Sequence, residues 1–482
     1  MNRLVKTLTL AAPLVLAASF SSNSAEACGG CFVPPAENTV VSGHRMALSI
    51  SQTQTVLWDQ IQYQGDPEDF SWVLPIKPGA RIEAADNAWF ETLEASTKMS
   101  ITAPPLQCQG GDSAFGCGQA GSFALAEAAG GDFENGSGGG VTVVKQETVG
   151  PYDSVTLSSE DPAALTQWLE SHNYDIPDEI KPIIASYVED GFDFIALRLT
   201  PGKGVNLMSP VRVVMQGASP VLPLRMVAAG TGAFTGVVLY VIGEGRWTTE
   251  NHPEFPVPFE DLEWDGSVNE SNYASLRTQT LSQNGGKAWI STYASGDNMF
   301  GQGYYDEWDG QYYASGIGNV YIGTMLAENG SNAGEVGTCQ EAVSQAGQEA
   351  GVIVDPCDHE TGECAEVGAG EIDARKFACG ELTDLATALV GMHPADVWVT
   401  RLEANLPRFA LAEDLQLKAN SSQATVLNYH ETPKTKNYEC PMAPGEFGSG
   451  RKGPPSGTPF ILAGLGALAA ALLARRRAAL RA

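Results

Sequence analysis

The chain has 482 residues, and its 57 acidic against 28 basic side chains give a formal net charge of −29 at pH 7. So acidic a surface repels nucleic acid and anionic lipid, which excludes protein classes that bind them through basic patches. The length allows two domains or one large domain with insertions. The nine cysteines are typical of an exported chain with disulfides.

Residues 1–27 have the three parts of a secretory signal peptide. Arg3 and Lys6 precede an uncharged apolar run of fourteen residues, and small polar residues then lead to Ala25-Glu26-Ala27. The run is too short for a membrane-spanning helix. The pattern therefore predicts export and cleavage between Ala27 and Cys28.

Cys28 and Cys31 form a C-G-G-C motif at the predicted new N-terminus. A redox pair would need a helix directly after Cys31 to stabilise a thiolate, and the prolines at 34 and 35 disfavour one. Zinc would need a second C-x₂-C pair, which the sequence lacks. We interpret both cysteines as structural. Acylation of Cys28 is an alternative, which Ala25 disfavours because lipoproteins usually have Leu at that position.

The other cysteines allow further disulfides, although spacing alone does not fix their connectivity. Nine is an odd number, so at least one cysteine has no partner within the chain. The most direct scheme joins near neighbours and leaves Cys440 over. Its pairs are Cys28–Cys31, Cys108–Cys117, Cys357–Cys364 and Cys339–Cys379.

After the motif, residues 38–51 and 54–65 alternate apolar and polar positions, which predicts a pair of strands. A third strand follows, with Trp72, Val73 and Leu74 expected to be buried. Asp86 then begins a segment of good helix formers, so a short amphipathic helix is predicted over 86–98.

Two helices are predicted in the centre of the chain, over 162–172 and 178–191. Ser159 or Asp161 can cap the first, with Pro162 in its first turn. The second ends at Gly191, and a strand follows. Several apolar residues at helical spacing are predicted to be core, namely Leu165, Trp168, Leu169, Ile183, Ile184 and Tyr187.

The pattern of many short strands with clustered helices predicts an α+β fold. We expect it to be β-rich, with mixed or antiparallel, sandwich-like sheets, a small helical cluster and two loop-rich insertions. The predicted parts are a signal peptide (1–27), an N-terminal β-rich part (28–103), a Gly/Ala/Ser-rich insertion (104–140), a central α+β part (141–250), an aromatic turn-rich β part (251–330), an acidic Cys-rich insertion (331–381), the C-terminal part of the core (382–440), a linker (441–458), a transmembrane or sorting helix (459–474) and an Arg-rich cytoplasmic tail (475–482).

The C-terminal segments predict a membrane anchor. The apolar run at 460–474 has fifteen uncharged residues and is followed by three arginines. As a helix it would be roughly 22 Å long, short for a bilayer but sufficient if the bilayer thins and the arginines snorkel. The layout also resembles the sorting tails of bacterial surface proteins, which a dedicated protease removes. Both interpretations place residues 28–450 outside the cytoplasm, in the periplasm or at the cell surface.

The sequence contains no complete catalytic or nucleotide-binding motif that we recognise. The aromatic patch at 297–313 combines tyrosines and Trp308 with Asp306 and Asp309, a mixture that could stack sugars or hold calcium. His359 lies among acidic residues and is a further candidate metal ligand. Burial in the core and solvent exposure, respectively, are the simpler interpretations, so no cofactor is predicted.

Several stretches resemble a family of secreted bacterial proteins known as domain of unknown function 2330. They are residues 27–30, 65–76, 161–199, 209–246 and 399–407. The resemblance implies a common fold and a place in the cell envelope, and it implies no activity, ligand or site. The two Cys-bearing insertions and the acidic charge depart from the family pattern.

The function expected from these observations is a non-enzymatic, membrane-anchored or surface-sorted binding or scaffold protein whose ligand is unknown. One alternative is a secreted hydrolase, which predicts a deep pocket lined by a perturbed carboxylate or a His pair. Another is a thiol-redox protein that uses Cys28 and Cys31, which predicts an exposed thiol at a helix N-terminus.

Overall fold

A computed structural model describes the central part of the chain and leaves both termini and several internal segments undescribed. The described residues are 31–32, 40–64, 71–104, 140–172, 174, 176, 178, 180–200, 209–228, 233–296, 299, 303–306, 311–314, 316–328, 336–337, 353–354, 371–372, 383–392 and 396–437. The chain divides into two compact units. All described residues belong to the unit formed by Met1–Pro105 and Gln119–Tyr438.

Strands dominate this unit. In chain order they are β1 (Cys31–Phe32), β2 (Val40–Ile50), β3 (Gln54–Gln64), β4 (Ser71–Ile76), β5 (Arg81–Ala84), β6 (Ser100–Thr102), β7 (Thr142–Val149), β8 (Tyr152–Ser158), β9 (Asp193–Leu199), β10 (Val211–Gln216), β11 (Val221–Leu222), β12 (Phe234–Glu244), β13 (Trp247–Thr249), β14 (Glu263–Asp265), β15 (Glu270–Ser271), β16 (Trp289–Ser295), β17 (Gly303–Asp306), β18 (Gln311–Ala314), β19 (Ile353–Val354), β20 (Glu371–Ile372), β21 (Val397–Pro407), β22 (Leu415–Ala419), β23 (Tyr429–Glu431) and β24 (Lys434–Lys436).

The helices are fewer and mostly short. They are α1 (Asn87–Thr97), α2 (Pro162–Ser171), α3 (Lys181–Glu189), α4 (Leu224–Val227), α5 (Tyr273–Leu281), α6 (Gln283–Gly286), α7 (Ile317–Glu328) and α8 (Thr383–Leu389), with 3₁₀ turns at Phe259–Asp261 and Arg408–Ala412. Asp86 and Asp161 cap α1 and α2 by accepting hydrogen bonds from backbone N–H groups, as the sequence predicted.

Two sheets form the centre of the fold. The larger has seven strands in the order β16-β21-β12-β2-β3-β10-β5, in which β2 and β12 run parallel and the other neighbours run antiparallel. The smaller is antiparallel, in the order β1-β4-β9-β8-β7. Alternate residues of both sheets, among them Leu48, Leu74 and Leu197, meet in one buried cluster. The sheets therefore pack face to face as a sandwich.

Helices cover the outer faces of both sheets. Residues of α1, α7 and α8 pack with Trp58 and Tyr240 on the outer face of the seven-stranded sheet. Residues of α2 and α3 pack with Val73 and Phe194 on the outer face of the five-stranded sheet. The unit thus has four layers, with two sheets between two groups of helices.

The predicted α+β, strand-rich fold is confirmed. The helices do not form one small cluster, as was predicted, but lie on the outer faces of both sheets. Trp72, Val73 and Leu74 are buried, as are most of the predicted helix-core residues, while Ile183 is half-buried. The range 251–330, predicted as turn-rich β structure, also contains α5 and α7. The α7 segment is apolar almost all round, so it shows no helical period that a sequence pattern could reveal.

Many of the predicted special residues lie outside the described part of the chain. These are the signal peptide, the C-terminal anchor, Ala27, Asp309, His359 and all cysteines except Cys31, namely Cys28, Cys108, Cys117, Cys339, Cys357, Cys364, Cys379 and Cys440. In the described residues, no helix has the length and apolar character needed to cross a membrane.

Candidate binding groove

A surface groove of about 420 Å³ lies at one end of the seven-stranded sheet. Its floor is the outer face of two neighbouring strands, where Gly236 of β12 is paired in register with Asn405 of β21. Gly236 has no side chain and Asn405 is exposed, so the sheet face lies open here. This volume falls in the range of about 300–1,000 Å³ that is usual for small-molecule sites.

Helix α5 and the turn that follows it form the wall and rim. Arg277, Thr278 and Leu281 line the groove from α5, followed by Ser282. The chain then turns sharply, because Asn284, Gly285 and Gly286 all have positive φ values of 50°, 69° and 86°. Glycine adopts this backbone region at little cost, and Asn tolerates it better than most other residues.

Two exposed phenylalanine rings flank that turn. A Cβ atom at Gly285 would lie 3.8 Å from the ring of Phe409, and one at Gly286 would lie 3.9 Å from the ring of Phe234. Phe234 is 48% exposed and Phe409 is 60% exposed. Exposed aromatic side chains beside a concave surface are typical of binding sites.

A buried ionic network continues inward from the wall, and we call it the open network. Its members alternate in charge as Arg277, Glu403, Arg401 and Glu94. Both Nε and Nη2 of Arg277 lie 2.6 Å from Oε2 of Glu403, and Nε of Arg401 donates to Oε1 of Glu403 at 2.8 Å. Nη1 of Arg401 donates to Glu94 Oε2 at 2.7 Å. The four charges cancel, so the groove wall carries no net charge.

The network sets the protonation of its members. Burial opposes ionisation of Glu94, but the charge of Arg401 and a hydrogen bond from Tyr240 outweigh it and lower the pKa of Glu94. Burial and the nearby Glu403 raise the pKa of Tyr273 to about 12. At neutral pH Glu94 is therefore ionised and Tyr273 is neutral, so the ion pairs of the wall stay intact.

A second buried network lies on the same face of the sheet, and we call it the closed network. It consists of Asp384, Arg212 and Glu83. Asp384 is fully buried and accepts hydrogen bonds from Arg212 at 2.7 Å, from the indole of Trp58 at 2.8 Å and from the backbone N–H of Asp86 at 2.8 Å. Arg212 also donates to Glu83 at 2.7 Å. This network joins α8 to the sheet and to the start of α1.

A histidine–aspartate pair lies inside the sandwich. Nδ1 of His44 is 3.3 Å from Oδ1 of Asp59, and both residues are buried. The cavity beside Asp59 has a volume of about 10 Å³, about enough for a single water molecule. In the described structure, the cavity next to this pair is too small to hold a substrate.

The sequence did not predict the groove or the His44–Asp59 pair. The groove residues come from four separate stretches, and none of them is a motif. The His44–Asp59 pair could have been predicted from the β2–β3 hairpin. In its register, residues 44 and 59 are diagonal neighbours on the same face of the two strands.

The predicted site residues are brought together only in part. Asp306 ends strand β17, which pairs with β18 in a hairpin, and the partners Asp309 and His359 are outside the described residues. Within the residues that the structure describes, no group of three or more potential metal ligands occurs. Cys31 lies in strand β1 opposite Trp72, whereas the redox hypothesis expects a helix N-terminus next to it.

The layers and the groove define a strand-rich, four-layer α+β protein with an open site on the face of its larger sheet. The chain belongs to the family of domain of unknown function 2330, described as an uncharacterized protein conserved in bacteria, which it matches over residues 22–418. The groove lies within this range, and the resemblance found from the sequence is confirmed. No curated protein and no solved structure shows significant similarity to the chain.

Proposed function

We propose that this protein is an exported bacterial envelope protein, held at the membrane by its C-terminal segment, that binds a ligand in the groove and catalyses no reaction. The signal-peptide pattern at 1–27 and the arginine-tipped apolar segment at 459–474 support the location. The groove supports the binding role.

One observation carries the binding role. The groove is large enough for a ligand and is flanked by two exposed rings, yet the described residues that line it include no His, Cys, Asp or Glu. Arg277 is the charged residue of the lining, and Glu403 already neutralises it. The lining does hold the hydroxyls of Thr278 and Ser282, but a hydroxyl acts as a nucleophile in hydrolysis only when an adjacent base activates it. This lining offers apolar contact and hydrogen bonds instead.

The hydrolase hypothesis has less support. It expects a deep pocket beside a His pair or a perturbed carboxylate, whereas Asp59, the partner of His44, lines a space of about 10 Å³. Such a space does not admit a substrate.

The location is tested by fractionating cells and determining both termini of the native protein by mass spectrometry. We expect a membrane-bound chain that begins at Cys28 and is cleaved by protease added to the outside of the inner membrane. An intact precursor in the cytosol would contradict the proposal.

The binding role is tested by sedimentation of purified full-length protein with the detergent-insoluble envelope fraction of cells that lack it. Detergent keeps the anchor soluble, so retention reports binding by the folded part. Asn405→Trp fills the groove floor, and we expect it to reduce retention at least tenfold. Val268→Trp is the matched control, because Val268 is exposed and does not line the groove. Equal retention of both variants would contradict a binding role for the groove.

A further inference from the structure

The hydrogen-bonding groups of the groove require a ligand that both donates and accepts. The hydroxyl of Thr278 donates to the carbonyl of Ala274 at 2.8 Å, and the hydroxyl of Ser282 donates to the carbonyl of Gln279 at 2.7 Å. Their protons are thus in use, so both hydroxyls offer only lone pairs to a ligand. The exposed amide of Asn405 offers a donor and an acceptor.

The charge of the groove disfavours an ionic ligand. Arg277 forms its ion pair through Nε and Nη2, which leaves Nη1 as a donor whose positive charge Glu403 already neutralises. Lys287 lies at the rim with Phe409, its Nζ 5.9 Å from that ring, and neither residue belongs to the lining, so the charge of Lys287 lies outside the groove. An anion would have to compete with a buried carboxylate for Arg277, while a cation would find no free carboxylate in the lining.

The floor disfavours an extended peptide. Strand β12 is paired with β2 on one side and β21 on the other, and β21 is itself paired with β16 and β12. The pairing of β16 with β21 ends at Ala404, but β12 and β21 are paired with each other across the whole floor. The groove thus opens on the face of the sheet, where a peptide could not add as a further strand. The groove must recognise its ligand through side chains and ring faces.

A pyranose ring has the matching chemistry. Its faces carry C–H groups, which pack on phenyl rings, and its edge carries hydroxyls, each of which both donates and accepts. Phe234 offers a ring face in the lining, and Phe409 offers a second one at the rim, beside Gly285. Asn405, Thr278 and Ser282 offer the polar edge. Resting on the proposed binding function of the groove, we propose that its ligand is an uncharged saccharide chain whose sugar rings stack on Phe234 and Phe409.

The test is isothermal titration of the full-length protein in a detergent without a sugar headgroup. The probes are three neutral hexasaccharides, built of β-1,4-linked N-acetylglucosamine, β-1,4-linked glucose and α-1,4-linked glucose. The comparison probes are a hexamer of uronic acid and a proline-rich hexapeptide. We expect at least one neutral hexasaccharide to bind and the uronic acid hexamer and peptide to bind at least tenfold more weakly.

Variants assign that binding to the groove. Phe234→Ala and Phe409→Ala are each expected to weaken binding about tenfold, because each removes one stacking surface. Val268→Ala, at a residue that is 63% exposed and does not line the groove, is expected to leave binding unchanged. Far-ultraviolet circular dichroism of each variant checks that the fold is retained. If one phenylalanine variant fails to fold, Asn405→Ala is the replacement, and it too is expected to weaken saccharide binding.

The saccharide proposal is overturned if no neutral hexasaccharide binds, if the uronic acid hexamer or the peptide binds more tightly, or if the phenylalanine variants bind as well as the parent protein. If these results occur while Asn405→Trp still abolishes envelope retention, the ligand class is wrong and the binding function stands. If retention is also independent of Asn405, both proposals fail.

Discussion

The closed and open networks lie on the same face of the same sheet and have the same chemistry, but they differ in their access to water. Each has a buried carboxylate at its centre that accepts hydrogen bonds from arginine. In the closed network this is Asp384, which accepts from Arg212 and Trp58, and in the open network it is Glu403, which accepts from Arg277 and Arg401. The difference lies in the central ion pair of each network: the side chains of Arg212 and Asp384 are 9% and 0% exposed, whereas those of Arg277 and Glu403 are 34% and 6% exposed.

The difference shows how one kind of interaction serves two purposes. In the closed network, the Asp384–Arg212 pair is buried under α8 and only Glu83 reaches water, so the pair fixes α8 on the sheet. In the open network the outermost arginine reaches the groove, so the same type of pair neutralises a binding surface. Burial, rather than residue type, separates the structural site from the candidate functional one.

The largest effect is expected for Asp384→Asn. The substitution removes the charge and places an amide N–H₂ group among donors from Trp58, Arg212 and Asp86. Arg212 keeps Glu83 as a second partner, but breaking the fully buried pair with Asp384 costs about 3–5 kcal/mol, so the free energy of unfolding in urea should fall by about that amount. Asp178→Asn is the control, because its side chain is exposed. A loss no larger than that of the control would show that the closed network does not stabilise the fold.

A smaller effect is expected for the isosteric change Glu403→Gln in the open network. Arg401 keeps Glu94 as a partner, and Arg277 can turn toward water. We expect a loss of about 2 kcal/mol in the same urea experiment. If Glu403→Gln cost as much as Asp384→Asn, access to water would not be the property that distinguishes the networks.

The smallest effect expected is a dependence of stability on pH that comes from His252. This residue lies beside Lys287, the first residue after the turn that forms the groove rim. Its ring is buried against Trp289, the backbone of Lys287 lies beside it, and Glu413 is 4.0 Å away. Burial lowers the pKa of His252 below its usual value near 6.5, although Glu413 opposes the shift. The unfolded chain therefore takes up the proton first, and stability falls as pH drops below about 6.5.

That fall is measured by urea unfolding at a series of pH values between 7.5 and 5. One such group gives a slope of at most about 1.4 kcal/mol per pH unit. His252→Gln should flatten the slope in this range. Glu94, whose pKa is lowered, gives a loss of stability only in more acidic solution, below about 4.5. An unchanged slope in His252→Gln would assign the pH dependence to other groups.

Local patterns in the sequence predicted much of the fold. The alternation in 38–51 and 54–65 gave the β2–β3 hairpin, because side chains of a strand point alternately to opposite faces. Asp86 and Asp161 marked the starts of α1 and α2, because a capping carboxylate acts on neighbouring backbone N–H groups. Helices α5 and α7 were not predicted from the sequence. A helix is recognised by an apolar face opposite a polar one, and α5 is mostly polar on all sides whereas α7 is mostly apolar on all sides.

The sequence by itself determined the acidic charge, the strand-rich α+β class, the family, and the leader and anchor patterns that predict export. Each of these depends on composition or on residues that are neighbours along the chain. Only the tertiary structure decided the four layers, the two networks and the groove, because their residues are far apart in sequence. Arg277 meets Glu403, and Asp384 meets Trp58, only when strands and helices that are far apart in the sequence pack on one sheet.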